Sequence, residues 1–172
     1  MSNLMKRNRD GEHQDHSIEP VYNHESKILI LGSFPSVKSR EAGFFYGHPQ
    51  NRFWRVLSGL CGGSPPVTTE EKEQFLLKHG IAVWDVIASC TIVGSSDSSI
   101  KDVVPNDLNR ILQTADIRQI FTNGGTADKL YKKYLQPSTG IQPVKLPSTS
   151  PANAAWSLDK LVEAWKICLS FL

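Results

Sequence analysis

Apolar residues fall along the chain in short continuous runs that alternate with stretches of helical spacing. In KILIL (27–31), the four residues after Lys27 are an apolar run closed by Gly32, the pattern of a strand buried on both faces. IAVWDVI (81–87), IRQIFT (117–122) and QPVKL (142–146) read as the second, third and fourth strands. From Asn51, Phe53/Trp54, Leu57 and Leu60 recur at helical spacing and stop at the Gly62-Gly63-Ser64-Pro65-Pro66 breaker. Thr68 with Glu71 spells a capping box ahead of Phe75 and Leu76, and Gly80 closes that helix. Pro105 reads as the opening of a helix through Leu108, Ile111 and Leu112. Another helix carries Ala127, Leu130, Tyr131 and Tyr134, and the last carries Leu158, Leu161, Trp165 and Leu169. Residues 32–50 and GSSDSS (94–99) read as loops. Residues 1–26 are polar and aperiodic, so a mobile N-terminal tail is expected there, with one folded domain over 27–172.

This alternation predicts an α/β fold: a three-layer α/β/α sandwich on a central, mainly parallel four-stranded sheet. Ligands of such sheets sit beyond the carboxyl ends of the strands. GSFPS (32–36), Asp85, the Asn123 turn and PSTSPAN (147–153) are the four strand exits. The polar, Gly- and Pro-punctuated residues therefore gather on one rim, where the chemistry is expected.

Composition narrows the options. A length of 172 residues suits a single domain able to bury a core without staples. No apolar run reaches the roughly 20 residues of a membrane span, and no apolar segment follows the basic residues of the N-terminus. A cytoplasmic, monomeric protein is expected, with no membrane partner. Cys61, Cys90 and Cys168 are odd in number, far apart and without CxxC spacing, so free thiols are expected and no metal site. The formal net charge is +2. The first 26 residues are net acidic, and the basic excess lies beyond them. Lys38, Arg40, Arg52 and Arg55 face Glu41 alone within 32–55, a cluster that suits either a solvated face or contact with phosphates. Phosphate-loop, GxGxxG, GxSxG and HExxH signatures are absent from the sequence, which argues against nucleotide-cofactor and serine-hydrolase chemistry.

Two strings stand out. The first is Gly32-Ser33-Phe34-Pro35-Ser36, followed by Gly47-His48-Pro49-Gln50-Asn51-Arg52-Phe53-Trp54; the second is Leu146-Pro147-Ser148-Thr149-Ser150-Pro151-Ala152-Asn153. Together they resemble the uracil-DNA glycosylase superfamily, and within it the hypoxanthine-DNA (deoxyinosine) glycosylase branch, family 6. The resemblance spans about residues 27–170. It implies a monofunctional DNA-repair glycosylase that hydrolyses the N-glycosidic bond of a deaminated base, hypoxanthine first, and leaves an abasic site without a cofactor. It also implies that Asn51 takes the catalytic place. Better-known branches carry Asp or Asn where this chain has Phe34, and His or Asn where it has Leu146, which points away from ordinary uracil removal.

The chemistry of base removal assigns expectations to the other residues. An amide can orient a water but is a poor proton acceptor, so Asn51 is read as a water positioner; it also suits the cap of the following helix. The target base must leave the stack and enter a pocket. Tyr46 takes the position of an aromatic that stacks on the base in related glycosylases, and Phe34 adds an apolar wall. Asp85 can accept the N1–H of hypoxanthine, and Asn123 is a second base reader or a plain turn residue. Ser36, His48, Arg52, Ser148, Thr149, Ser150 and Asn153 are the expected DNA contacts, with stabilisation of the leaving base as the alternative for Ser148, Thr149 and Ser150. Ser150 and Pro151 also fit the N-cap and first position of the last helix. A uracil- or xanthine-preferring glycosylase, a non-catalytic nucleic-acid-binding domain and a hydrolase of free inosine are the rivals.

Overall fold

Ile28, Leu29, Ile30 and Leu31 lose all contact with solvent because their strand is covered on both faces and both edges. In the computed structural model, which describes residues 11–172, this strand (β2, Ile28–Gly32) lies between β3 (Ile81–Asp85) and β6 (Gln119–Asn123). With β7 (Val144–Leu146) they make a four-stranded parallel sheet in the order β3-β2-β6-β7. Gly32 pairs with Asp85 and Asn123 with Leu146, so the carboxyl ends of the strands finish at one level. The chain adds β3 on one side of β2 and β6 and β7 on the other. A switch point of this kind opens a crevice beside β2.

Helices flank the sheet: α1 (Val37–Ala42), α2 (Phe53–Cys61), α3 (Thr69–Lys78), α4 (Asn109–Leu112), α5 (Gly125–Tyr134), α6 (Gln136–Thr139) and α7 (Leu158–Trp165). The Thr68–Glu71 capping box forms as read, and Gly80 takes a left-handed conformation after α3. Trp54, Trp84 and Trp165 are buried in the core. Cys61, Cys90 and Cys168 are free thiols, and Cys61 is only half-buried. No helix among the described residues is long and apolar enough to cross a membrane.

Four readings need correction. The run 81–87 is not one strand: it breaks at Val86, and the chain continues as β4 (Ile87–Ile92) in a second sheet. The buried Asn106 fixes the break by donating from Nδ2 to the carbonyls of Asp85 (2.9 Å) and Ile87 (3.1 Å). Pro105 does not open a helix; it ends β5 (Lys101–Pro105), which pairs with β4. The segment 32–50 holds α1, capped by Ser36, whose Oγ accepts from Ser39 N–H (3.2 Å). Finally, residues 11–26 are not a loose tail. Glu12–Asp15 form β1, antiparallel to β4, completing a three-stranded sheet β1-β4-β5. Ile18 and Val21 are buried, and Val21 bridges Val83. Residues 1–10 of that expected tail lie outside the described residues.

Candidate active site

Beyond the ends of β2, β3 and β6 lies a cavity of about 370 Å³, within the range of small-ligand sites. Every residue expected from the sequence lines it except Arg52 and Asn153.

Asn51 precedes α2, and its Oδ1 accepts twice: from Phe53 N–H (3.0 Å) and from Thr149 Oγ1–H (2.9 Å). Capping and site placement therefore coexist in one side chain. Both acceptor directions of Oδ1 are occupied by donors, which fixes the amide orientation. Among the described residues nothing accepts from Nδ2, so the group left to meet a water or substrate is a hydrogen-bond donor.

Thr149 is fully buried and joins the two motifs. Its Oγ1 accepts from Asn123 Nδ2 (3.0 Å) while donating to Asn51, its N–H donates to Asn123 Oδ1 (3.1 Å), and its carbonyl accepts from Arg52 N–H (3.1 Å). Asn123 borders the cavity with its carbonyl and one amide hydrogen already committed to Thr149. Ser148 Oγ accepts from Ser150 N–H (3.1 Å), and Ser150 Oγ from Ala152 N–H (3.2 Å). These hydroxyls border the cavity while bracing the loop that carries them. His48 Nδ1 likewise accepts from Gln50 N–H (3.1 Å).

Arg52 and Asn153 serve the loop instead of the cavity. The Arg52 guanidinium donates to the carbonyls of Ser150 (2.9 Å), Asn153 (3.0 Å) and Trp156. Asn153 Nδ2 donates to Ser148 O (3.0 Å). With its carbonyls held this way, the segment stays in turns, and α7 starts only after Ser157, whose Oγ accepts from Lys160 N–H. The expected Ser150–Pro151 helix start is therefore absent. Trp165 Nε1 braces the loop from below by donating to Pro147 O (2.9 Å).

Tyr46 has a left-handed backbone (φ 52°), a conformation costing a non-glycine residue about 1–2 kcal/mol. Its ring stacks on Phe53 (centroids 3.8 Å, 17° between planes) and borders the cavity. Its hydroxyl is buried without a hydrogen-bond partner among the described residues. Burial first, and then the Asp85 charge, hold its pKa far above the ordinary tyrosine value, opposed by the nearby Asn123 amide. Phe34 forms another wall, with the Arg40 guanidinium 5.5 Å from its ring centre.

Among the described residues, two carboxylates border the cavity. Asp85, at the end of β3, is 4% exposed and hydrogen-bonded to His16 Nε2 (2.8 Å). A Cβ on Gly32 would lie 2.4 Å from Asp85 Oδ1, so only glycine lets the carboxylate approach β2 this closely. Asp97 lies in the 94–99 loop and accepts from Ser33 Oγ–H (3.2 Å). Crowding by protein raises its pKa even though an edge stays open to water. The Ser33 and Thr126 hydroxyls lower it, and the Asp85 charge raises it further. Sequence reasoning missed both His16 and Asp97. His16 is a single histidine in a polar segment, and Asp97 is one acid in a serine-rich loop; neither carries a local signal.

A model of the uracil DNA glycosylase superfamily matches residues 19–168. The chain is 35% identical over 142 residues to a protein of Methanosarcina acetivorans named hypoxanthine DNA glycosylase, covering 81% of this chain and 89% of that one. It is 30% identical over 147 residues to a protein of the same name from Methanosarcina barkeri, covering 85% and 92%. Its fold matches the solution NMR structure of "a putative Uracil DNA glycosylase" from M. acetivorans with a TM-score of 0.73 at 30% identity, over 91% of this chain and 98% of that one. The two motifs that meet at Thr149 and the near full-length likeness to these proteins agree, and the chain belongs to the uracil DNA glycosylase superfamily.

Proposed function

We propose that the protein is a monofunctional DNA glycosylase that removes hypoxanthine from deoxyinosine in DNA by hydrolysis, leaving an abasic site. The observation that carries this reading is the hydrogen-bonded junction Asn123–Thr149–Asn51. It holds one outward amide on a base-sized cavity with a buried carboxylate in its wall. Both Methanosarcina relatives are named for the same activity.

In this reading the flipped nucleotide enters between Tyr46 and Phe34, and Asp85 accepts the ring N1–H of hypoxanthine. An anionic acceptor cannot stabilise negative charge moving onto the leaving base, so Asp85 recognises the base and does not activate it. As the C1′–N9 bond breaks, its electron pair goes to the base and the sugar becomes cationic. Asn51 Nδ2 donates to the oxygen of the attacking water and holds it under C1′. Its amide cannot take the water's proton. Asp97, a carboxylate of the same cavity made more basic by its surroundings, is assigned that task. The departing base takes up a proton from solvent. Ser36, His48 and the Ser148–Ala152 loop border the opening and meet the DNA backbone, with Arg52 holding the loop in shape.

The test is a product assay on oligonucleotides carrying hypoxanthine, xanthine or uracil, with free inosine alongside. Release of free hypoxanthine, and strand breakage only after alkali, is expected. Cleavage of free inosine alone, or DNA binding without release of any base, would overturn the reading.

A further inference from the structure

We propose that His16 is a positioning residue for base selection: it locks one oxygen of Asp85 and leaves the other as a fixed acceptor for the ring N–H that deamination creates. The inference rests on the glycosylase reading and adds to it a residue from outside both sequence motifs.

His16 follows β1, and its N–H donates to Ala88 O (2.7 Å), continuing the β1–β4 pairing. β4 is the continuation of the chain just past Asp85, so adding β1 to its edge carries the imidazole to the carboxylate. The two side chains are 3% and 5% exposed, and Nε2 lies 2.8 Å from Asp85 Oδ2. Ile18 N–H donates to Nδ1 (3.3 Å). Nδ1 is therefore the acceptor nitrogen and Nε2 carries the proton given to Asp85. Phe34 and Trp84 meet the imidazole edge-on, with centroids 5.9 and 6.3 Å away, which fixes the plane of the ring.

The consequence falls on the other oxygen. A carboxylate turns broadly about its last torsion unless something holds it. With Oδ2 bound to His16, Oδ1 stays against Gly32, which lines the cavity together with Tyr46 and Asp85. The neutral imidazole donates one hydrogen bond without cancelling the charge, so Oδ1 can only accept. Adenine presents a lone pair at N1, which this oxygen repels. Hypoxanthine presents N1–H, which it accepts. Selection by charge and donor pattern is strong where the groups are buried and fixed, because a wrong base leaves the carboxylate unpaired.

The test compares the full-length wild type with His16→Leu, His16→Gln and Asp85→Asn, reading single-turnover release and the ratio of Kd for undamaged and deoxyinosine DNA. Gln can donate from the position of Nε2, and Leu cannot. His16→Leu is expected to lower that ratio and the release rate by about 10–100-fold, with affinity for undamaged DNA unchanged. His16→Gln should recover most of both. Adding His16→Leu to Asp85→Asn should change little further, because the two act through one contact. Equal selectivity in the Leu variant, or no recovery by Gln, overturns the proposal while wild-type release keeps the glycosylase reading standing. Absence of release by the wild type overturns that reading itself. Nitrogen-15 spectra of the wild-type imidazole give an answer independent of whether the variants fold. The Nε2–H tautomer is expected, and the Nδ1–H tautomer contradicts the proposal.

Discussion

The two carboxylates of the cavity occupy opposite surroundings. Asp85 is sealed at the end of a core strand, one carboxylate oxygen held by the His16 imidazole N–H and its approach to β2 permitted by Gly32. Asp97 sits on a loop at the rim, one oxygen accepting from Ser33 and an edge in water. A sealed, pre-aimed acceptor suits recognition, where a wrong partner must be penalised. A solvent-connected carboxylate with a raised pKa suits proton transfer, because the proton must afterwards escape. In the proposed reaction, similar chemical groups in one cavity thus divide the work through environment alone.

Asp85→Asn breaks this division most severely. It replaces the acceptor with an amide, and a loss of deoxyinosine release of about 100-fold or more is expected, with selectivity against undamaged DNA falling in parallel. Asp97→Asn should lower the single-turnover rate by about 10–100-fold and leave that selectivity intact. Because the pKa of Asp97 is raised, the wild-type rate should fall on acidification at a pH above the ordinary carboxylate value, and the variant should lose that limb. If Asp85→Asn changed only rate and Asp97→Asn only selectivity, the assignment would be reversed. Arg52→Ala sharpens a different point. It frees the carbonyls of Ser150, Asn153 and Trp156, so binding to deoxyinosine DNA should weaken several-fold through a loosened loop. The slope of log affinity against log salt should stay the same; a drop of about one would make Arg52 a phosphate contact after all.

The smallest effect concerns stability. A carboxylate whose pKa is raised on folding holds its proton more tightly in the folded state, so its charge is a penalty at neutral pH. Asp97→Asn should therefore slightly raise the melting temperature at pH 7. That gain should persist above the folded pKa and vanish as pH falls to the ordinary carboxylate range. A lower melting temperature at pH 7 would contradict it.

What the sequence made legible follows the reach of each interaction. The run at 28–31 is readable because burial on both faces demands continuous apolar residues. The Thr68–Glu71 cap is readable because both bonds lie within one turn. Asn51 and Thr149 could each be singled out within a motif, but the bond between them spans most of the domain. The break at Val86 depends on Asn106, far along the chain, and so IAVWDVI, apolar apart from Asp85, reads as one strand. β1 (EHQD) is a largely exposed edge strand held by backbone pairing, so it shows no hydrophobic alternation. His16 became visible only through that pairing. Arg52 reads as a phosphate ligand from its charge, and only the folded loop reveals the three carbonyls it satisfies.

The central claim is that the outward amide of Asn51, oriented by Phe53 and Thr149, positions the attacking water. The direct measurement is single-turnover release of hypoxanthine from a deoxyinosine duplex by wild type and Asn51→Ala, with melting curves and Asn153→Ala as controls. The account predicts a loss of about 100–1000-fold for Asn51→Ala in a protein that still folds, and a much smaller loss for Asn153→Ala. Release by a folded Asn51→Ala variant at the wild-type rate would contradict it.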